Sequence, residues 1–223
     1  MSNSSTIEFH WIGHDGFKIH GKDMNNKNRT IYIDPYRLSK MQYNKNDADL
    51  VLISHNHYDH LSIDDLKHVI SKRTSIVAAK ECVEQLKEID VEEIKDVNPG
   101  DKIIIQNIPI EIVPAYNTNK KFHPKSDEKV GYIFTISNQR LYHSGDTDVI
   151  PEMKAINADI AFVPVSGTYV MTAEEAAEAV NEYIKPKKLA IPMHYGSIVG
   201  TDKDAEKFVR LVKICETKIL ERE

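Results

Sequence analysis

Cysteine is scarce in this chain of 223 residues: Cys82 and Cys215 are the two it has, with no CxxC spacing. That excludes a disulfide framework and a thiolate zinc site, and makes a reducing, cytoplasmic compartment the expectation. Long apolar runs are missing too. Leu50 to Ile53 and Ile160 to Val163 are a few residues long, far short of a membrane span, and the polar start MSNSST has no signal-peptide character. Base is not in excess: 34 acidic against 29 basic residues leave a formal charge of −5. This argues against holding nucleic acid or anionic membrane by bulk charge. No GxSxG elbow and no Cys–His pairing supplies a protein nucleophile. No fixed-period repeat, low-complexity tract or linker divides the chain, so residues 1–223 read as one domain. What the chain does have is histidine: ten residues, three of them within six positions.

The first third reads as strands. Ile7 to Trp11 and Phe17 to His20 flank the turn-like Gly13-His14-Asp15-Gly16, and Thr30 to Asp34 stops at Pro35. Asp47 to Ser54 holds the unbroken run Leu-Val-Leu-Ile, the pattern of a strand buried on both faces. Ser62 with Asp65 resembles a capping box for a helix to about Ser71. A short strand from Ser75 to Ala78 precedes a helix over Lys80 to Ile89. Strands follow at Lys102 to Ile105, Ile108 to Pro114, Val130 to Ser137 and Arg140 to Ser144, the last two joined by an Asn-Gln turn, with a polar loop over 115–129. The last third alternates strand and helix: Ile160 to Val165, a helix capped by Thr172 and Glu175, Leu189 to Pro192, and a helix over Asp202 to Ile214. Sheets covered by helices fit this order.

His55-Asn56-His57-Tyr58-Asp59-His60 follows the buried strand directly. Side chains two apart in extended chain point the same way, so His55 and His57 can reach one metal. Asp59 and His60, one tight turn later, can reach a second. Imidazole and carboxylate suit zinc, and also manganese or iron. An HxHxDH string would arise by chance roughly once in 700 chains of this composition. Two other strand ends offer partners. Arg140 to Ser144 runs into Gly145-Asp146, and Leu189 to Pro192 into Met193-His194, the ends at which α/β sites gather. Taken singly, Asp146 also suits a helix N-cap and His194 a loop histidine.

With these pieces in order, the chain resembles the metallo-β-lactamase superfamily. The carriers are Trp11-Ile-Gly-His14, His55-Asn-His-Tyr-Asp59-His60, Tyr142-His-Ser-Gly-Asp146-Thr, Pro164-Val-Ser-Gly-Thr168 and Pro192-Met-His194-Tyr-Gly. More narrowly it is similar to metal-dependent hydrolases related to ascorbate-6-phosphate lactonase and, more distantly, to N-acyl-phosphatidylethanolamine phospholipase D. The resemblance implies an α+β fold, a four-layer αββα sandwich with a dinuclear site at one edge. It implies that His55 and His57 hold metal one, that Asp59, His60 and His194 hold metal two, and that Asp146 bridges. Family members carry a third metal-one histidine after the strand that here ends at Pro114, where this chain reads Ala115-Tyr116-Asn117. His123 is preferred there because imidazole binds zinc better than an amide oxygen, with Asn117 as the fallback.

The expected chemistry is hydrolysis by hydroxide drawn from water whose pKa two divalent metals, about 4 Å apart, lower to about neutrality. Asp59 is expected to orient it as well as bind metal two. His14 is a candidate for the rim of the site, as proton donor to the leaving group or as a buried hydrogen-bonded histidine. His143 alternates away from Asp146 and reads as structural. Lys120, Lys121 and Lys125 favour an anionic small-molecule substrate if they line the mouth, and form a solvated loop if they do not. Thr168 and Tyr169 are expected to face the pocket. The substrate class is a small ester, lactone or phosphoester. Two other readings compete: a nuclease of the same superfamily, against which the net negative charge and the lack of a large inserted domain weigh, and a metal-binding redox or sensor protein, which a blocked pocket would favour.

Overall fold

The computed structural model describes residues 6–38 and 46–223; most of the polar start lies outside them. Two sheets form. In the first, the strands β1 (Glu8–Gly13), β2 (Gly16–Lys22), β3 (Asn28–Ile33), β4 (Leu50–Ile53), β5 (Ser75–Ala79) and β6 (Glu93–Val97) lie in sequence order. The second runs in sequence order from β7 (Lys102–Ile105) through β8 (Ile108–Pro114), β9 (Val130–Ile136), β10 (Gln139–His143), β11 (Ile160–Pro164) and β12 (Leu189–Met193) to β13 (Glu216–Thr217). Each sheet starts with antiparallel hairpins and continues in parallel, from β3 in the first and β10 in the second. The parallel strands β4, β5 and β11 are buried along their whole length, as parallel strands covered on both faces must be.

The sheets pack face to face through aromatic side chains. Phe17 of β2 sits 4.6 Å from Phe162 of β11, ring centre to ring centre. Tyr132 of β9 donates its hydroxyl to Ile53 O of β4 at 2.6 Å. The helices α1 (Ile63–Val69), α2 (Val83–Leu86), α3 (Ala173–Glu178) and α4 (Asp202–Leu211) cover the outside. Thr172 and Glu175 form the expected reciprocal cap of α3, which continues as a π-helical turn over Ala179–Ile184 before Pro186. The architecture is an α+β sandwich of two mixed sheets, as the resemblance implied. Among the described residues no helix is long and apolar enough to cross a membrane.

Several local expectations change. Ser62 accepts from Asp65 N, but the Asp65 carboxylate turns away from the cap and accepts from Arg37 N at 2.8 Å and Leu38 N at 2.6 Å. The helix expected over Lys80 to Ile89 shrinks to a 3-10 turn and the four residues of α2, because Cys82 and Leu86 alone offer one buried turn. Strand β6 was hidden by its charge: Glu93-Ile-Lys-Asp-Val is an edge strand with exposed acids. The β9–β10 turn is Ser137-Asn138, both at positive φ, as a two-residue hairpin of this twist requires. Asp146 caps no helix; Ile150 precedes the 3-10 turn Pro151–Ala155.

Candidate metal centre

Loops from both sheets meet at one edge of the sandwich. They follow β1, β3 and β4 on one side and β8, β10, β11 and β12 on the other. Among the non-glycine residues there that adopt left-handed backbone are His14 (φ 54°), Asp34 (φ 41°), His123 (φ 53°), Tyr169 (φ 68°) and His194 (φ 61°). Each such residue costs about 1–2 kcal/mol, and such strain concentrates where side-chain placement matters. Trp11 and His194 anchor the first of them. The Trp11 indole donates to His14 O at 2.9 Å, and His194 N donates to the same oxygen at 3.1 Å. Gly145 (φ 61°) lets Asp146 approach, since a Cβ there would lie 2.8 Å from Val130 O.

The first cluster is His55, His57 and His123, whose facing nitrogens all lie within 4.8 Å of one another. His57 Nδ1 is 3.0 Å from His55 Nε2 and 3.2 Å from His123 Nε2. Burial pushes all three imidazoles below their ordinary pKa, with the Lys129 ammonium adding to the effect on His57 and His123. At neutral pH the three are therefore uncharged. His123 places a ring nitrogen in this group, whereas Asn117 holds the loop beside it, its Oδ1 buried without a hydrogen-bond partner. The Asn117 amide donates to Phe122 O at 2.9 Å and Tyr169 O at 2.6 Å, and its backbone N–H to His123 O at 2.8 Å. Asn117 thus folds the loop back so that a histidine six residues later reaches the position.

The second cluster is Asp15, His60, Asp146 and His194, all buried, again with atoms within 4.8 Å of one another. Asp146 lies between the two clusters. Its Oδ2 is 3.4 Å from His194 Nε2, 3.5 Å from His123 Nε2 and 4.0 Å from His55 Nε2, and its Oδ1 is 3.5 Å from His60 Nε2. Hydrogen bonds on the far side fix which way these rings point. His60 Nδ1 donates to Asp34 Oδ2 at 2.8 Å. The Ser54 hydroxyl donates to Asp34 and so accepts from His55 Nδ1, 3.0 Å away. The Ser166 hydroxyl donates to Thr168 O and so accepts from His194 Nδ1 at 2.9 Å. Each ring then turns its Nε2 on Asp146.

Lone pairs and carboxylates facing one another in a buried space repel, and they need a cation between them. His60 Nε2, Asp146 Oδ1 and both Asp15 oxygens have no hydrogen-bond partner. Burial and the Asp146 charge push the Asp15 carboxyl well above its ordinary range. Against the cost of burial, His194 and His60 hold Asp146 well below, and the carboxylates of Asp146, Asp34 and Asp15 hold His60 well above. A divalent cation relieves all of these at once by displacing the proton. The donor set, imidazole with carboxylate, fits one.

Residues 8–194 match the family described as Beta-lactamase superfamily domain. The chain is 34% identical over 220 residues to a UPF0173 metal-dependent hydrolase of Thermoplasma acidophilum, with 94% of this chain and 92% of the relative covered. It is 32% identical over 217 residues to one of Methanopyrus kandleri, with 91% and 90% covered. The crystal structure of a candidate metal-dependent hydrolase from Parabacteroides distasonis superposes with a TM-score of 0.81 at 30% identity, covering 98% of this chain and 94% of that one. The chain belongs to the UPF0173 metal-dependent hydrolases of the β-lactamase superfamily.

As in any hydrolase, the clusters need access to solvent. A cavity of about 460 Å³ opens on them, lined by Tyr58, Phe122, Tyr169 and Ile198 around His57, Asp59, His123, Asp146 and His194. Tyr169 faces it as expected. Thr168 does not: it is exposed and outside the lining, its carbonyl accepting from Ser166. Lys121 is also exposed and outside the lining, and its neighbours are paired, Lys120 with Asp148 and Lys125 with Glu152. These lysines are a solvated loop rather than an anion-binding mouth. His14 is fully buried instead of at the rim, with Nε2 3.0 Å from Asp59 Oδ2. Burial and His194 lower its pKa to about 4, while its hydrogen bond, with the charge of His60, outweighs burial and lowers that of Asp59 to about 2. Neutral His14 therefore donates to the Asp59 carboxylate. Asp59 Oδ2 lies 4.0 Å from His60 Nε2 but outside the second cluster. His143 is structural, its Nε2 donating to Asp15 O at 2.9 Å.

Sequence reasoning passed over Asp15, Asp34, Ser54 and Ser166. Asp34 and Ser54 end neighbouring buried strands, the one signal that marked them. The buried Lys129, paired with Glu81 at 2.7 Å beneath Asn56, was missed as well.

Proposed function

We propose that the protein is a hydrolase with two divalent metal ions, zinc by ligand preference with manganese or iron also accommodated, acting on a small neutral ester or lactone. The observation that carries the reading is the convergence of imidazole lone pairs on the buried Asp146 beneath an open cavity. His55, His57 and His123 would hold the outer cation and His60 and His194 the inner, with Asp146 shared. Bound there, such cations supply Lewis acidity and bring the pKa of water to near neutrality. Asp59, held anionic by His14 and facing the cavity, orients a proton-bearing nucleophile by accepting its hydrogen bond. An open cavity supports catalysis over sensing. Its aromatic walls, and lysines that pair elsewhere, support a neutral acyl substrate with an apolar group over a phosphorylated one. A lactone keeps the likeness to ascorbate-6-phosphate lactonase without the phosphate.

The test is elemental analysis of the purified protein together with a hydrolysis screen of acyl esters, lactones and phosphodiesters. About two metal equivalents and turnover of a neutral ester or lactone are expected, with both metal and turnover reduced in His57→Ala. Full hydrolysis by metal-free protein, or by His57→Ala, contradicts the reading.

A further inference from the structure

One buried charge beneath the outer half has no part in the reading above. Lys129 is buried just before β9. Its Nζ donates to Glu81 Oε1 at 2.7 Å, and the same oxygen accepts from Asn56 N at 3.1 Å. Asn56 stands between His55 and His57 and lines the cavity, so the pair is fastened to the backbone between two of the proposed ligands. The main chain is tied in as well: Ala115 N donates to Lys129 O at 3.0 Å, and Val130 N to Ser54 O at 3.2 Å. Asp127 adds a second carboxylate, 3.7 Å from Nζ. Burying an ammonium is costly without such pairing. If holding the loop were the whole task, a neutral donor and acceptor would do it without that cost. What the ions add is charge. Beside burial itself, the Lys129 ammonium lowers the pKa of both His57 and His123.

We propose that Lys129 is a positioning residue of the outer metal half. Through Glu81 it fixes the backbone between His55 and His57, and its positive charge keeps the affinity of that half below what three imidazoles and Asp146 alone would give. A hydrolase gains from the arrangement. Positive charge beside the outer position strengthens the pull exerted there on a substrate oxygen, which becomes more negative as the neighbouring carbon is attacked. The same charge repels a cation and loosens its hold. Glu81 acts the other way, so the two ends of the pair have opposite effects on a cation although they share one hydrogen bond.

This inference rests on the metal-binding reading above, and the measurements separate the two. Zinc is titrated calorimetrically into metal-stripped wild type, Lys129→Met, Glu81→Gln and the double variant, against a competing chelator, with folding followed by circular dichroism. Lys129→Met is expected to tighten the weaker, outer equivalent about 3–10-fold. Glu81→Gln, whose amide oxygen still accepts from Asn56 N, is expected to weaken it by a similar factor. The double variant should return to within about 2-fold of wild type, and the inner equivalent should stay unchanged throughout. Weakening in both single variants marks a purely structural pair and overturns the proposal, as does an outer equivalent that changes in neither. Should Lys129→Met fail to fold, Lys129→Gln, which keeps a donor for Glu81, decides in its place: tighter outer binding supports the proposal, and equal or weaker binding overturns it. Wild type that takes up no zinc overturns the metal reading as well.

Discussion

The two halves of the metal centre are made of different material. The outer half is three neutral imidazoles from two loops, and His57 is only half-buried on the cavity wall. A buried ammonium, Lys129, lowers the pKa of His57 and His123 and works against more positive charge there. The inner half lies wholly in the interior and is rich in carboxylates: Asp15 and Asp146 within it, and Asp34 behind His60. Each inner histidine has its outward nitrogen fixed, His60 by a carboxylate and His194 by a hydroxyl. The difference teaches that two positions sharing one aspartate need not share one affinity. The inner half is preorganised and negative; the outer half is open and near neutral.

Breaking the shared element gives the largest effect. Asp146→Ala removes the carboxylate that both halves face, so both metals and hydrolysis are expected to be lost together. The fall should exceed the roughly 100-fold limit of outer-shell changes. Retention of either metal at wild-type affinity, seen by calorimetry, would show that Asp146 does not bridge. Next in size is the contrast itself. Under a chelator, or at limiting metal, the outer cation should leave first and one equivalent should persist. Loss of both in a single step, followed by metal content against time, contradicts unequal halves. Asp34→Asn then tests the inner support alone. An amide cannot accept at both oxygens, so it forfeits either the Ser54 N–H bond at Oδ1 or the His60 and Ser54 hydroxyl bonds at Oδ2, and it removes the negative charge behind His60; inner affinity should fall about 10–100-fold. Ser166→Ala, which removes a neutral partner of His194, belongs near the lower end of that range.

The difference between the halves also decided what could be read from sequence. His55 and His57 were legible because a buried strand ends where they begin and extended chain repeats every two residues. His60, Asp146 and His194 were legible because each follows a strand of recognisable pattern. His123 was found by chemistry, for its position depends on a loop reversal that Asn117 fastens and no periodicity announces. Asp15 and Asp34 were not found. Each is a single acid at a turn: Asp15 meets its neighbours only once β10 and β12 of the second sheet come against the β1–β2 turn of the first, and Asp34 only once the loop after β4 brings Ser54 and His60 beside the end of β3. The lysines of the 115–129 loop failed in the opposite way. Their charge was plain, but the acids that pair with them, Asp148 and Glu152, lie more than twenty residues on. The edge strand β6 and the one-turn helix α2 carry too little buried pattern to be read at all.

The smallest expected effect on the centre sharpens the comparison by its absence. Arg29 and Asp23 form a buried pair at 2.9 Å on the β2–β3 hairpin, with Arg29 also 3.2 Å from Asp49. Burial alone would raise the Asp23 pKa. Arg29, and the backbone N–H groups of Lys27 and Asn25, outweigh it and hold the carboxyl below its ordinary value. A depressed folded-state pKa means stability that is complete above the unfolded-state value, about 4, and lost as pH falls through the folded one. Arg29→Met removes the partner, so the acid-unfolding midpoint, followed by circular dichroism, should move to higher pH. Both metal equivalents should bind at neutral pH with unchanged affinity, because none of these groups touches the centre. If Arg29→Met instead weakens the inner cation, the carboxylates around His60 are not a self-contained unit, and the contrast between the halves depends on the strands that carry them.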